Sequence, residues 1–130
     1  MCIITGPRIE LAIELIKRMK NLFLIKNIAT FDTKETLIEL NGCHIEAYPS
    51  HHLDAMRSLV SPKFILLDEA DFFPPGQQQD ARDVSERYIA KSNPWIVMVS
   101  TPNAPDGLFE KMRGSTTSST WERLAMCSTR

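Results

Sequence analysis

The sequence predicts an α/β domain built on a largely parallel sheet. Three observations carry that prediction. Short strand-like runs alternate along the chain with stretches of helical periodicity. Two of the runs, Phe64–Leu67 and Trp95–Val99, are apolar at every position, as in strands covered on both faces. Between them lies one helix-length segment, the kind of connection that neighbouring parallel strands require.

Composition sets the frame. At 130 residues the chain suits one modest domain, and 43% hydrophobic with 24% charged residues reads as soluble and globular with ample core. A net charge of −1 gives no global basic field for nucleic acid, which leaves a local groove as the form any DNA contact would take. The longest apolar runs are too short to span a bilayer, and the first residues lack a basic-then-apolar signal with a cleavage site. Cys2, Cys43 and Cys127 are odd in number and form no C-x-x-C pair. A reducing, cytoplasmic setting without disulfides or a zinc cluster is the expectation, and no membrane partner.

Along the chain, "MCIIT" is a strand broken by Gly6-Pro7. From Arg8 the pattern turns helical, with Ile9, Ala12, Ile13, Ile16, Met19 and Phe23 on one face and Glu14 and Arg18 paired outside. In "TLIELNGCHIEAY", Asn41-Gly42 supplies the positive φ angles of a two-residue turn. Counting outward pairs Leu40 with Cys43, Ile38 with Ile45 and Thr36 with Ala47 on the largely apolar face. Glu39 with His44 and Leu37 with Glu46 fall on the other, so a half-buried hairpin is predicted. Ser50 is read as the cap of a helix over about 51–60. Gln77–Lys91 is read as a helix turning Ala81, Val84 and Tyr88 inward. After the strand Trp95–Val99 come Ser100-Thr101-Pro102, a short helix capped by Asp106 and stopped by Gly114, a Ser/Thr linker over 115–120, and a last strand over Trp121–Met126.

"FILLDEADFF" places Asp68, Glu69 and Asp71 at the end of a buried strand. Ligands of open α/β sheets bind beyond the carboxyl ends of the strands, and here Thr5-Gly6, Asp68-Glu69 and Ser100-Thr101 are all such ends. Nucleoside triphosphate hydrolysis needs one carboxylate for Mg²⁺ and a second to orient the attacking water. Adjacent Asp68 and Glu69 suit those two roles, because side chains diverge where a chain leaves its strand. A bare apolar-D-E string is also a common solvated turn; the buried strand ending in Ser100-Thr101 favours the site.

"ILLDEAD" resembles the Walker B segment of P-loop motor ATPases of the additional-strand, catalytic-glutamate class. "STPNAPDGLFEKM" is similar to the coupling motif and following helix of the large subunit of viral DNA-packaging terminases. "IITGPRIELAIELIKRM" and "AYPSHHLDAMRSL" resemble segments that precede Walker B in that family, so the likeness runs from about residue 3 to 124. It implies a three-layer, P-loop NTPase-like sheet flanked by helices, incomplete at its amino end, with residues 1–114 a partial ATPase core and 115–130 a linker and terminal strand. By the same resemblance Asp68 holds Mg²⁺ through water and Glu69 is the catalytic glutamate. Ser100 and Thr101 contact the nucleotide and relay its state. The implied cofactors are ATP and Mg²⁺, and the implied partners are double-stranded DNA, a portal and a small terminase subunit. Arg57 falls where relatives often carry Arg-Gly, but Ser58 replaces that glycine here.

Two readings stand against this one. A superfamily-2 helicase shares "DEAD" and a segment like "GPRIELA", but usually carries Ser-Ala-Thr where this chain has Ser-Thr-Pro. A non-catalytic interaction module on the same fold would account for the lack of G-x-x-x-x-G-K-[ST], since none of the five glycines precedes a lysine. The resemblance places that loop just before Cys2 and its strand beside Trp95–Val99. Catalysis by the chain alone is therefore not expected. The free edge at 95–99 should pair with the terminal segment or mediate self-association.

Other residues have simpler accounts. Adjacent His51 and His52, with His44 beside Cys43, lack the spacing of a metal site. Arg8, Lys17, Arg18 and Lys20 form a basic helix face, and Arg82 and Arg87 another; solvation explains both, with DNA phosphates or a neighbouring nucleotide as the sharper alternative. Trp95 and Trp121 are read as core or edge packing.

Overall fold

A computed structural model describes residues 1–101, 103, 107, 111 and 124–128, with the backbone alone at 32, 33 and 124–128. Strand β1 (Cys2–Thr5) is buried along its whole length and lies inside the sheet. It leads into helix α1 (Ile9–Ile25), where Glu10 in the first turn complements the helix dipole. Asn27 ends the helix in the left-handed region at φ 53°. Strands β2 (Phe31–Lys34), β3 (Leu37–Leu40) and β4 (Cys43–Pro49) form an antiparallel meander. A 3-10 turn at Ser50–His52 and the one-turn helix α2 (Leu53–Met56) lead to β5 (Phe64–Asp68). A second 3-10 turn, Ala70–Phe72, precedes α3 (Pro75–Ser92), then β6 (Trp95–Ser100) and β7 (Leu124–Ser128).

These seven strands form one sheet in the order β2-β3-β4-β1-β5-β6-β7. Every pairing from β4 to β7 is parallel, and only the hairpin side is antiparallel. The Asn41-Gly42 turn has φ values of 49° and 74°, and the hairpin register is the one its local pattern requires: Leu40 opposite Cys43 and Ile38 opposite Ile45. Thr36 accepts a hydrogen bond from the Ala47 N–H at 3.0 Å, which extends the same register.

The sheet separates two cores, giving three layers. On one face Ile3, Ile38, Ile45 and Ala47 pack against Ala12 and Ile16 of α1, with Leu15, Met19 and Phe23 beside them. On the other, Cys2, Ile4, Ile65, Leu67, Ile96 and Met98 meet Leu53, Met56, Ala81, Val84 and Tyr88 of α2 and α3. Tyr88 ties the two helices, donating from its hydroxyl to Met56 O at 2.6 Å and Leu59 O at 3.1 Å. Phe73, 2% exposed, anchors the exit from β5 in that core, a burial worth about 1.5–3 kcal/mol.

Several elements depart from the sequence reading. Strand β2 was not legible, because "FDTK" has no apolar stripe and exists through its pairing with β3. Residues 51–60 do not form one helix: Ser50 caps nothing, and its hydroxyl donates instead to Gln77 Oε1 at 2.6 Å across the layer. Helix α3 begins two residues early, since Pro75 fits a first helical turn that needs no N–H donor. The buried stripe of α1 is rotated, leaving Ile9 40% exposed while Leu15 packs inward. Trp95 is 54% exposed at the start of β6.

The last strand is Leu124–Ser128, in place of Trp121–Met126; residues 121–123, the linker 115–120 and most of the Asp106–Gly114 helix lie outside the described residues. β7 pairs in parallel along β6, from Ile96 opposite Leu124 to Ser100 opposite Ser128, so that edge of β6 is covered within the chain.

Candidate active site

Because β1, β5 and β6 are parallel neighbours, Thr5, Asp68 and Ser100 reach the same edge of the sheet. From β1 the chain departs into α1 on one face, and from β5 it departs toward α3 on the other. Opposite departures from adjacent strands open a crevice between their carboxyl ends, where α/β sheets bind ligands. A cavity of about 160 Å³ occupies that place, lined by Thr5, Gly6, Leu11, Glu14, Arg18, Asp68 and Glu69 among others.

Asp68 is the last residue of β5 and sits opposite Val99. It is half-buried, and that burial, then the neighbouring Glu69 carboxylate, push its carboxyl above the ordinary value of 3.8. Glu69 turns the chain sharply: it is left-handed at φ 54°, ψ 44°, a conformation that costs a non-glycine residue about 1–3 kcal/mol. The turn swings its side chain toward β6, where Oε2 accepts the Thr101 N–H at 3.4 Å.

Ser100 is fully buried next door. Its hydroxyl accepts the Asp71 N–H at 3.1 Å and donates to Thr101 O at 3.0 Å. The exits of β5 and β6 are thereby bound to each other: Asp68 and Glu69 line the crevice, while Ser100 and Thr101 are tied to that turn from behind its lining, through the Asp71 N–H and the Glu69 carboxylate.

Two crowded carboxylates, one of them disfavoured in its charged form, suit a divalent cation held through water beside a triphosphate. The donor set therefore fits Mg²⁺ at Asp68. Among the described residues no three His, Cys, Asp or Glu side chains converge as a direct metal cluster. His44 faces Glu39 across the hairpin at 3.8 Å, and the His51 and His52 rings lie 4.2 Å apart at a tilt of 60°; none of the three lines the crevice.

Of the basic residues, Arg18 lines the crevice while paired with Glu14 at 2.6 Å. Arg57 pairs with Asp54 at 3.3 Å and shares a separate cleft with Arg87 and Lys91; Arg82 pairs with Glu86 at 2.8 Å. Asp71 escaped the sequence reading as an individual residue, being only the third acid of its string, yet it is 4% exposed and holds the segment beyond Thr101. The signal for it was that two jobs were on offer for three carboxylates.

Comparison with solved structures bears on the fold. No protein-family model and no curated protein matches the sequence. Among solved structures, the large terminase ATPase domain of Thermus phage P74-26 superposes with a TM-score of 0.67 at 13% identity, covering 98% of this chain and 62% of that one. The large terminase of another thermophilic bacteriophage, in complex with ADP, matches at a TM-score of 0.65 and 11% identity over 98% of this chain and 31% of that one. A second crystal form of that protein gives 0.63 at 10% identity, over 98% of this chain and 32% of that one. The chain thus has the α/β fold of phage large-terminase ATPase domains, and it spans less than two thirds of the length of each.

Proposed function

We propose that this chain carries the hydrolytic side of an ATP-driven, DNA-translocating motor of the terminase large-subunit kind. The observation that carries the reading is Glu69, held in a strained left-handed turn beside Asp68 with its carboxylate fixed on the Thr101 N–H. Strain of that sort persists where a side chain must be aimed. The likeness in fold supports it, as does the ADP bound by one of the similar large terminases.

In this reading Asp68 is the Walker B acid. When bound, Mg²⁺ supplies charge neutralisation on the phosphates. Glu69 accepts a proton from the attacking water and orients it, with the Thr101 N–H setting the direction of its second oxygen. Ser100 and Thr101 lead directly into the segment beyond β6, so a change at the phosphate is felt as a pull on that segment. Double-stranded DNA is then the cargo, a portal and a small terminase subunit the partners, and the infected cell's cytoplasm the setting. Residues 1–114 form the working part, and within 115–130 the strand Leu124–Ser128 covers the edge of β6.

No described helix is long and apolar enough to cross a membrane. The sequence contains no P-loop, so nucleotide binding requires that loop from a joined segment. Isothermal titration with ATP and Mg²⁺ tests this on two samples, the chain itself and the chain joined to a P-loop-bearing segment. Heat of binding is expected only for the second. Its absence there, with the fold intact, removes the ATPase reading in favour of a non-catalytic module.

A further inference from the structure

Glu69 is fixed by one N–H, and that N–H belongs to the segment that runs on past the end of β6. What holds the segment is Asp71. Its carboxylate Oδ2 accepts the Asn103 N–H at 3.4 Å, and its main-chain carbonyl accepts the Asn103 side-chain amide at 3.4 Å. Its own N–H is on Ser100, and Gln78 of α3 braces the same carbonyl at 3.2 Å.

Gly107 completes the arrangement. A Cβ there would fall 2.8 Å from both Asp71 carboxylate oxygens, nearer than real side chains approach. The carboxylate therefore lies against the bare Cα of Gly107. A carboxylate buried to 4% exposure is costly unless its lone pairs are met, so it stays only where the surrounding N–H groups hold it.

We propose that Asp71, seated on Gly107 and bonded to Asn103, is a positioning residue that latches the segment leaving β6 onto the turn leaving β5, and so keeps the Thr101 N–H on Glu69. The assignment of Asp71 as a latch stands on geometry alone; its bearing on hydrolysis rests on the reading of Glu69 above. The latch closes a ring from Asp71 through Ser100 and Thr101 to Glu69, within a single turn of chain from Asp71. Opening it would free the segment beyond β6 and release the aim of the general base together, which is how one event at the phosphate could be read in both places.

Amide hydrogen exchange on the chain without nucleotide tests the latch. In the unaltered chain Thr101 and Asn103 should exchange slowly although Thr101 is only half-buried; fast exchange at both overturns the proposal. Asp71→Ala should speed both amides about tenfold, one hydrogen bond's worth, while the amides of β1 and β5 keep their protection. Gly107→Ala should give the same pattern by displacing the carboxylate, and it serves alone if Asp71→Ala does not fold.

In the double variant the added methyl finds the space the carboxylate left. It should therefore exchange no faster than Asp71→Ala; fully additive effects overturn the contact. With a P-loop joined on, Asp71→Ala should lower kcat for ATP about tenfold with KM unchanged. Equal loss in both, or none, shows that Asp71 does not act through Glu69. If the unaltered joined protein hydrolyses no ATP, the reading of Glu69 fails, while the exchange pattern still decides the latch.

Discussion

The Thr101 N–H donates to the Glu69 carboxylate across 3.4 Å, linking residues 32 positions apart. The general-base role proposed for Glu69 needs direction as well as charge, and this bond leaves one carboxylate oxygen for water. With a P-loop joined to the chain, Glu69→Gln is expected to reduce ATP turnover at least about 10²-fold, since general-base catalysis contributes on that order. Nucleotide affinity should stay within about threefold of the unaltered protein, because the phosphate cradle is elsewhere. Stopped-flow phosphate release and equilibrium titration measure the two. Unchanged turnover would remove Glu69 from the mechanism.

Asp68 gives a stability signature. Burial and Glu69 raise its folded pKa above 3.8, so the folded state binds the proton more tightly than the unfolded state does. The stabilisation this gives is complete below pH 3.8 and is lost as pH rises through the folded value. At neutral pH the charged Asp68 is a burden on the fold. Asp68→Asn is therefore expected to raise Tm at neutral pH, with the gain vanishing in melts below pH 3.8. A Tm lowered at neutral pH contradicts the assignment.

The cysteines should differ in reactivity. Cys2 is fully buried in the β1 layer and burial pushes its thiol up to about 12, whereas Cys43 is exposed beside the hairpin turn. In a Cys127→Ser background, maleimide at neutral pH should label Cys43 at once and Cys2 only on unfolding. Between the ordinary thiol value of 9.0 and about 12 the unfolded chain loses a proton that the folded chain keeps, so stability should fall across that window. Simultaneous labelling of both thiols would place β1 at the surface.

Pairing of β7 with β6 protects an edge of five residues, Ile96–Ser100, four of them apolar and none proline or charged. Removing residues 115–130 should expose it and convert the chain to larger species. Light scattering after size exclusion reports the change. A strict monomer after truncation, with amide exchange along 96–100 no faster than in the whole chain, contradicts the assigned pairing.

Much of this arrangement was legible because its signals are local. Asn41-Gly42 sets a turn without help from the rest of the chain, and the pattern around it then fixes the register. Phe64–Leu67, too apolar to alternate, read as a strand covered on both faces, which placed Asp68 and Glu69 at its exit. What stayed hidden depends on tertiary contact. "FDTK" becomes a strand only beside β3, and Ser50 abandons a cap for Gln77. The left-handed turn at Glu69 has no glycine to announce it, and the role of Asp71 exists only once Gly107 has folded over it.

The place of β1 in the sheet has a consequence for synthesis. Cys2 pairs on one side with Glu46 and on the other with Ile65, so the first of these seven strands to be made finds both partners later. The β3–β4 hairpin can close by itself in microseconds, but it completes only one flank. At ordinary elongation rates "CIIT" waits on the order of seconds, a largely apolar strand with neither neighbour alongside. On a ribosome this part of the sheet is at its most aggregation-prone before Asp68 has emerged, and a holding chaperone would do the most good in that interval.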